Sequence, residues 1–94
     1  MSDFIKVKNK NGTSNRTPNG YSSWIDFWKA KKGMNHCGCS RLGCEKMDDT
    51  QGAHVFIVGE TSVEYIVPLC SACNNPNNTD EFDVPKSFLI RSEE

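Results

Sequence analysis

The residues of this 94-residue chain with the clearest chemistry are five cysteines: Cys37, Cys39 and Cys44 in one stretch, Cys70 and Cys73 in another. An odd number of thiols cannot all pair within one chain. The N-terminus shows neither an apolar run of signal-peptide length nor a small-residue cleavage site, so a reduced, cytoplasmic setting is expected. Clustered thiols in that setting point to metal ligation. Tetrahedral zinc takes four soft ligands from two short chelates, each offering two thiolates from one turn. Cys70-Ser-Ala-Cys73 has the usual two-residue spacing. Cys39-Ser-Arg-Leu-Gly-Cys44 leaves room for a knuckle in which Gly43 supplies a left-handed turn, while Cys37 with Cys39 would make a tighter C-x-C. The expected ligands of one structural zinc ion are Cys39, Cys44, Cys70 and Cys73, with Cys37, His36 and His54 in reserve. Four thiolates leave no position open for water or substrate, which makes such a metal structural. Two other readings are weaker. Buried free cysteines have no reason to cluster beside glycine on polar loops, and no βαβ pattern surrounds Cys70 and Cys73 as a redox pair would require.

Positioning these ligands falls to a single small domain. With 36% hydrophobic and 24% charged side chains, the chain is too short for two cores. At this size an apolar core supplies only about 3–5 kcal/mol, so a metal staple has a clear use. The longest apolar stretch, near residues 55–58, falls far short of the ~20 residues that span a bilayer, and no membrane association is expected. Residues 4–8 alternate as a short strand, mobile or at a sheet edge, followed by a turn over 9–12 and a polar stretch to Gly20. Ser23 is an N-cap with Asp26 three residues on, and Trp24, Phe27 and Trp28 share one face of a helix of about ten residues closed by Gly33. That aromatic face is read as core, with the two tryptophans covering the zinc lobe. Residues 54–58 and 63–67 read as a β-hairpin around Gly59-Glu-Thr-Ser62, leading straight into Cys70. A short helical turn is expected near Cys73, limited by Pro76, and residues 82–90 form an extended tail.

A knuckle, a hairpin and a second cysteine pair entering a helix make the layout of a treble-clef zinc finger. Within that group Gly52-Ala-His-Val55 and Pro68-Leu-Cys-Ser-Ala-Cys-Asn74 resemble the HNH (His-Me finger) endonucleases that carry an accessory structural zinc. The resemblance covers roughly residues 36–78 and implies a small α+β zinc-stabilised fold with an N-terminal helix and basic arm. It also implies a general base at His54 and, at Asn74, a residue helping to hold a catalytic Mg²⁺ or Mn²⁺. Several family features are absent. Position 53 is Ala rather than Asp, Tyr65 stands where the mid-motif Asn would fall, and Pro76 shortens the following helix. Asp48, Asp49 and Asp80 are the carboxylates that could substitute as ligands of a hard cation. The expected protein is thus a catalytically degenerate member, with His54 packed structurally beside the knuckle.

Charge divides the chain. Residues 1–33 hold seven basic and two acidic side chains, +5, and residues 34–94 balance at −6, giving the net −1. The expected organisation is a basic arm over 1–20 and a single zinc-binding domain over 21–94. Three functions follow. The leading one is binding of a macromolecule without catalysis, either nucleic acid through Lys6, Lys8, Lys10, Arg16, Lys29, Lys31 and Lys32, or protein through the acidic hairpin surface. The second is a metal-dependent nuclease, and the third a protein-directed inhibitor or adaptor of a mobile element. No small-molecule substrate is expected. A pI near 6.1, well below the value above 9 typical of a dedicated nucleic-acid binder, weighs against the nucleic-acid version.

Overall fold

A computed structural model of the chain describes residues 3–10, 20–34, 38–44, 50–74 and 80–92. Among these residues, five strands and one helix follow in the order β1 (Phe4–Asn9), α1 (Trp24–Lys32), β2 (Thr50–Ile57), β3 (Glu60–Cys70), β4 (Glu81–Pro85) and β5 (Ile90–Arg91), with one 3-10 turn at Lys86–Phe88. The helix begins as its sequence dictates. The Ser23 side chain accepts from the Asp26 N–H at 3.2 Å, satisfying one of the donors a helix start leaves open. The Asp26 carboxylate accepts from the Ser22 hydroxyl. Gly33 ends the helix at φ 69°, a left-handed conformation, with its N–H turned back onto the last carbonyls. Ser23→Ala is expected to lower stability by about 1 kcal/mol, read as a shift of the urea midpoint at unchanged slope.

The strands form one antiparallel sheet in the order β4-β1-β2-β3-β5. The expectation of a mobile or edge segment at residues 4–8 is corrected, since β1 pairs with β2 on one side and β4 on the other. The reason is its alternation. Ile5 and Val7 face the core and Val7 is fully buried, so the strand is needed to complete the inner layer. Residues 4–10 are therefore part of the folded body rather than an arm. The Asn9-to-Gly12 turn is corrected in part: Asn9 belongs to β1 and the Lys10 N–H continues onto the His54 carbonyl at 2.9 Å, while residues 11–19 lie outside the described residues. The hairpin is present, but its turn is Val58-Gly59 with Gly59 at φ 90°, tighter than the expected loop over 59–62. The extended tail resolves into β4, the 3-10 turn and β5.

The sheet cannot be flat. In strand order β4 and β5 are four spacings apart, about 19 Å in a flat sheet. Only residues 86–89 join them, three of them in a 3-10 turn that rises about 2 Å per residue. The sheet therefore curls and brings its two edges toward each other. Segment 38–44 lies in the seam: the Ser40 N–H donates to the Pro68 carbonyl of β3 at 2.9 Å, and the Leu42 N–H donates to the Asp83 carbonyl of β4 at 2.8 Å. Pro68 is tolerated inside a long strand because its backbone faces this seam, where a missing N–H costs no ladder bond.

Curling produces an inside and an outside. The inside packs Val7, Ala53, Val55, Val67, Leu69, Phe82 and Val84 together with Cys70 and Cys73. Outside, α1 lays Phe27 and Trp28 onto Ile66. The expectation that the tryptophans cover the cysteine lobe is thus corrected: Trp28 is fully buried on the outer face, donates from Nε1 to the Phe88 carbonyl at 2.7 Å, and Trp24 stacks edge-on against His54. Alternation along β3 sends Ile66 outward and Val67 and Leu69 inward, so the helix and the cysteines lie on different faces. The start of α1 approaches β2 at Gly52, where a Cβ would fall 2.4 Å from the Trp24 carbonyl carbon.

Candidate metal centre

Two turns bring four sulfurs together. In the first, the Cys44 N–H closes onto the Arg41 carbonyl at 3.0 Å and Gly43 adopts φ 91°, the left-handed conformation expected of the knuckle. The seam bonds of Ser40 and Leu42 fix this turn against the sheet. The Arg41 guanidinium lies over the Phe82 ring at 5.1 Å and within 3.7 Å of Asp80. In the second turn, β3 ends at Cys70 and the chain folds back, the Asn74 N–H donating to the Cys70 carbonyl at 2.9 Å. Asn9 reaches this turn from β1, its Nδ2 donating to the Cys73 carbonyl at 2.8 Å. Asn74 donates from Nδ2 to Gln51 on β2 at 2.7 Å.

Cys39, Cys44, Cys70 and Cys73 carry ligand atoms that all lie within 4.8 Å of one another, and Cys44 and Cys70 Sγ are 3.8 Å apart. Cys70 and Cys73 are buried and Cys39 and Cys44 half-buried. Burial pushes the Cys39 thiol up, against the pull of the Cys70 and Arg41 backbone N–H groups that point at its sulfur. At Cys70 burial also acts upward, but the Cys73 N–H and the surrounding thiols outweigh it and bring the thiol down to about 7. Burial and the neighbouring Cys70 and Cys39 sulfurs push Cys73 up strongly. The physical cause is shared: backbone donors favour thiolates here, yet four close negative charges repel one another. A bound cation relieves that conflict. The cluster can hold a metal ion.

The other sequence candidates separate. His54 is not in the cluster. Its ring lies on the outer face of β2, 7% exposed, with Nδ1 at 3.0 Å from Glu64 Oε2 and the Trp24 ring 4.8 Å away. Glu64 also meets Lys10 at 3.6 Å and accepts from the Ser92 hydroxyl at 2.8 Å, so this network joins the end of β1 to β2, β3 and the C-terminal segment. Sequence reading missed Glu64 and Asn9; the only signal was a polar residue in each strand's alternation. Asn74 is engaged by Gln51, whereas His54 is engaged by Glu64. Asp80 is paired with Arg41. His36, Cys37, Arg16, Asp48 and Asp49 lie outside the described residues; of the helical turn expected near Cys73, residues 71–74 form a turn closed by the Asn74 N–H on the Cys70 carbonyl, and residues 75–79 lie outside the described residues.

The basic candidates are largely engaged. Register sets Lys6 opposite Asp83 and Lys8 opposite Glu81, on a shared face of β1 and β4. Lys10 meets Glu64, Lys31 lies 5.7 Å over the Phe27 ring, and Lys32 donates to the Ser87 carbonyl at 2.6 Å. Lys29 sits in the last turn of α1, where the helix dipole favours cations.

Fold and site together define a small α+β domain with a five-stranded antiparallel sheet, one helix and a four-cysteine cluster able to hold a metal. Among the described residues no helix is long and apolar enough to cross a membrane. The chain matches no protein-family model, no curated protein and no solved structure.

Proposed function

We propose that Cys39, Cys44, Cys70 and Cys73 hold one structural zinc ion, and that the domain so stapled is a treble-clef, HNH-like module that binds a protein partner without catalysis. The spacing of the sulfurs carries the zinc assignment. A tetrahedral ion with Zn–S bonds near 2.3 Å sets its ligands about 3.8 Å apart. Cys44 and Cys70 stand at 3.8 Å. Protein-bound zinc of this kind has no open coordination position, so it would serve the fold and not a reaction.

His54 is placed to support the fold rather than a reaction. A general base must reach the proton it removes. The Nδ1 of His54 faces Glu64 and its ring is covered by Trp24, which supports a structural histidine. A protein is favoured over nucleic acid because five of the seven candidate cations already face a carboxylate, an aromatic ring or a backbone carbonyl. Phosphate contacts would have to displace those partners. Phe4, 37% exposed, shares the face of β1 with Lys6 and Lys8 and adds apolar surface to it.

Metal analysis of the purified chain should return one zinc equivalent. Incubation with plasmid and Mg²⁺ or Mn²⁺ is expected to leave the DNA intact for wild type and His54→Ala alike; cleavage by wild type that the variant loses would restore the nuclease. Titration with duplex DNA at low salt should show at most weak binding. Tight binding that weakens steeply with added salt would replace the protein partner with nucleic acid.

A further inference from the structure

We propose that Asn9 is a positioning residue for the metal, holding the second cysteine turn in its ligating conformation from the first strand of the fold. This rests on the zinc reading above. Asn9 is 7% exposed and lies 64 residues from Cys73 in sequence, yet its Nδ2 donates to the Cys73 carbonyl at 2.8 Å. It occupies the position where the inward alternation of Ile5 and Val7 calls for another apolar side chain. A leucine there would bury without cost to polar groups of its own. The amide instead leaves its Oδ1 buried with no hydrogen-bond partner among the described residues, an arrangement that lowers stability unless the other half of the amide has a task. The task is the carbonyl of a ligand residue. Fixing that carbonyl sets the peptide plane after Cys73 and, through it, the direction of the Cys73 side chain toward the other three sulfurs. Outer partners of this kind govern metal affinity as the ligands themselves do.

The same turn carries an exposed restraint, from Asn74 to Gln51, which serves as an internal comparison. Water competes for an exposed hydrogen bond and not for a buried one, so Asn9 should matter and Gln51 should not.

The full chain is loaded with Zn²⁺ and its release to a chromogenic chelator measured, and a parallel sample is loaded with Co²⁺, whose absorption bands report ligand type and geometry. Asn9→Leu is expected to weaken zinc affinity about 10–100-fold and to alter the Co²⁺ bands. Gln51→Ala should stay within about twofold of wild type on both readouts, as a water-exposed hydrogen bond predicts. Val7→Ala, on the same inner face but paired in register with Ile57 and Phe82 rather than with a ligand residue, should lower the melting temperature and leave the Co²⁺ bands unchanged. If Asn9→Leu does not fold, Asn9→Asp, which keeps the shape and loses the donor, takes its place. Wild-type affinity and bands in the Asn9 variant, or the same band change in Val7→Ala, would overturn the proposal. A wild-type chain giving no tetrahedral thiolate spectrum with Co²⁺ would instead bring down the zinc reading on which it rests.

Discussion

Removing the metal with a strong chelator is expected to unfold the domain, seen as loss of the far-ultraviolet circular dichroism of the sheet and of any cooperative thermal transition. The size of the effect follows from comparing two scales. Structural zinc bound by cysteines contributes about 10–16 kcal/mol of apparent binding free energy near neutral pH. The whole net stability of a domain is about 5–15 kcal/mol, and a chain of this length lies toward the lower end. The ion is also placed where its loss does most harm. It would tie the knuckle in the seam to the end of β3, and the knuckle in turn bonds to both seam strands through Ser40 and Leu42. Cys70→Ser and Cys73→Ser should each reproduce the chelator's effect, while Cys37→Ser should leave metal content unchanged. Acid works in the same direction: cysteine binds zinc as thiolate, so protons compete with the metal and it is released as pH falls. A chain that keeps its transition and its zinc in both buried-cysteine variants would refute the central assignment.

The second large effect is expected at Gly52. A Cβ there would stand 2.4 Å from the Trp24 carbonyl carbon, 2.5 Å from the Trp24 Cβ and 2.6 Å from the Ile25 nitrogen. These are mostly backbone atoms at the start of a helix, so no side-chain rotation clears them. Gly52→Ala must lift α1 from β2, loosening Trp24 from His54 and Phe27 from its place beside Ile66. Overpacking of this kind costs about 3 kcal/mol. For a small domain that shifts the melting temperature by well over 10 °C, with a matching change in tryptophan emission. A variant with wild-type stability would mean that the helix docks more loosely than the backbone contact implies.

Local features were legible because their causes are local. The helix start at Ser23, its end at Gly33 and the left-handed knuckle glycine at Gly43 each depend on residues within one or two turns. The cysteine pairs were legible for the same reason, since each chelate needs only its own short loop. The hairpin is legible in sequence but the position of its turn is not, because Gly59 and the polar residues after it are all good turn formers and the pairing of Ile57 with Glu60 chooses between them.

By itself, then, the sequence determined the chemistry of the site, four thiols in two chelates, and the helix and strands that carry them, because spacing and capping act over a few residues. The tertiary structure decided what those pieces do for one another. Whether residues 4–9 are an arm or an interior strand depends on two partners distant in sequence, β2 and β4. Whether His54 joins the cysteines or turns from them depends on the face of β2 it occupies, and hence on Trp24 and Glu64. That Asn9 meets Cys73, and that the knuckle fills a seam, follow from curling one sheet until its edges face each other across the knuckle. That curl depends on the pairing of strands distant in sequence, which places β4 and β5 at opposite edges. It comes from a four-residue connection between strands at opposite edges, and it is what turns two separate cysteine pairs into one site.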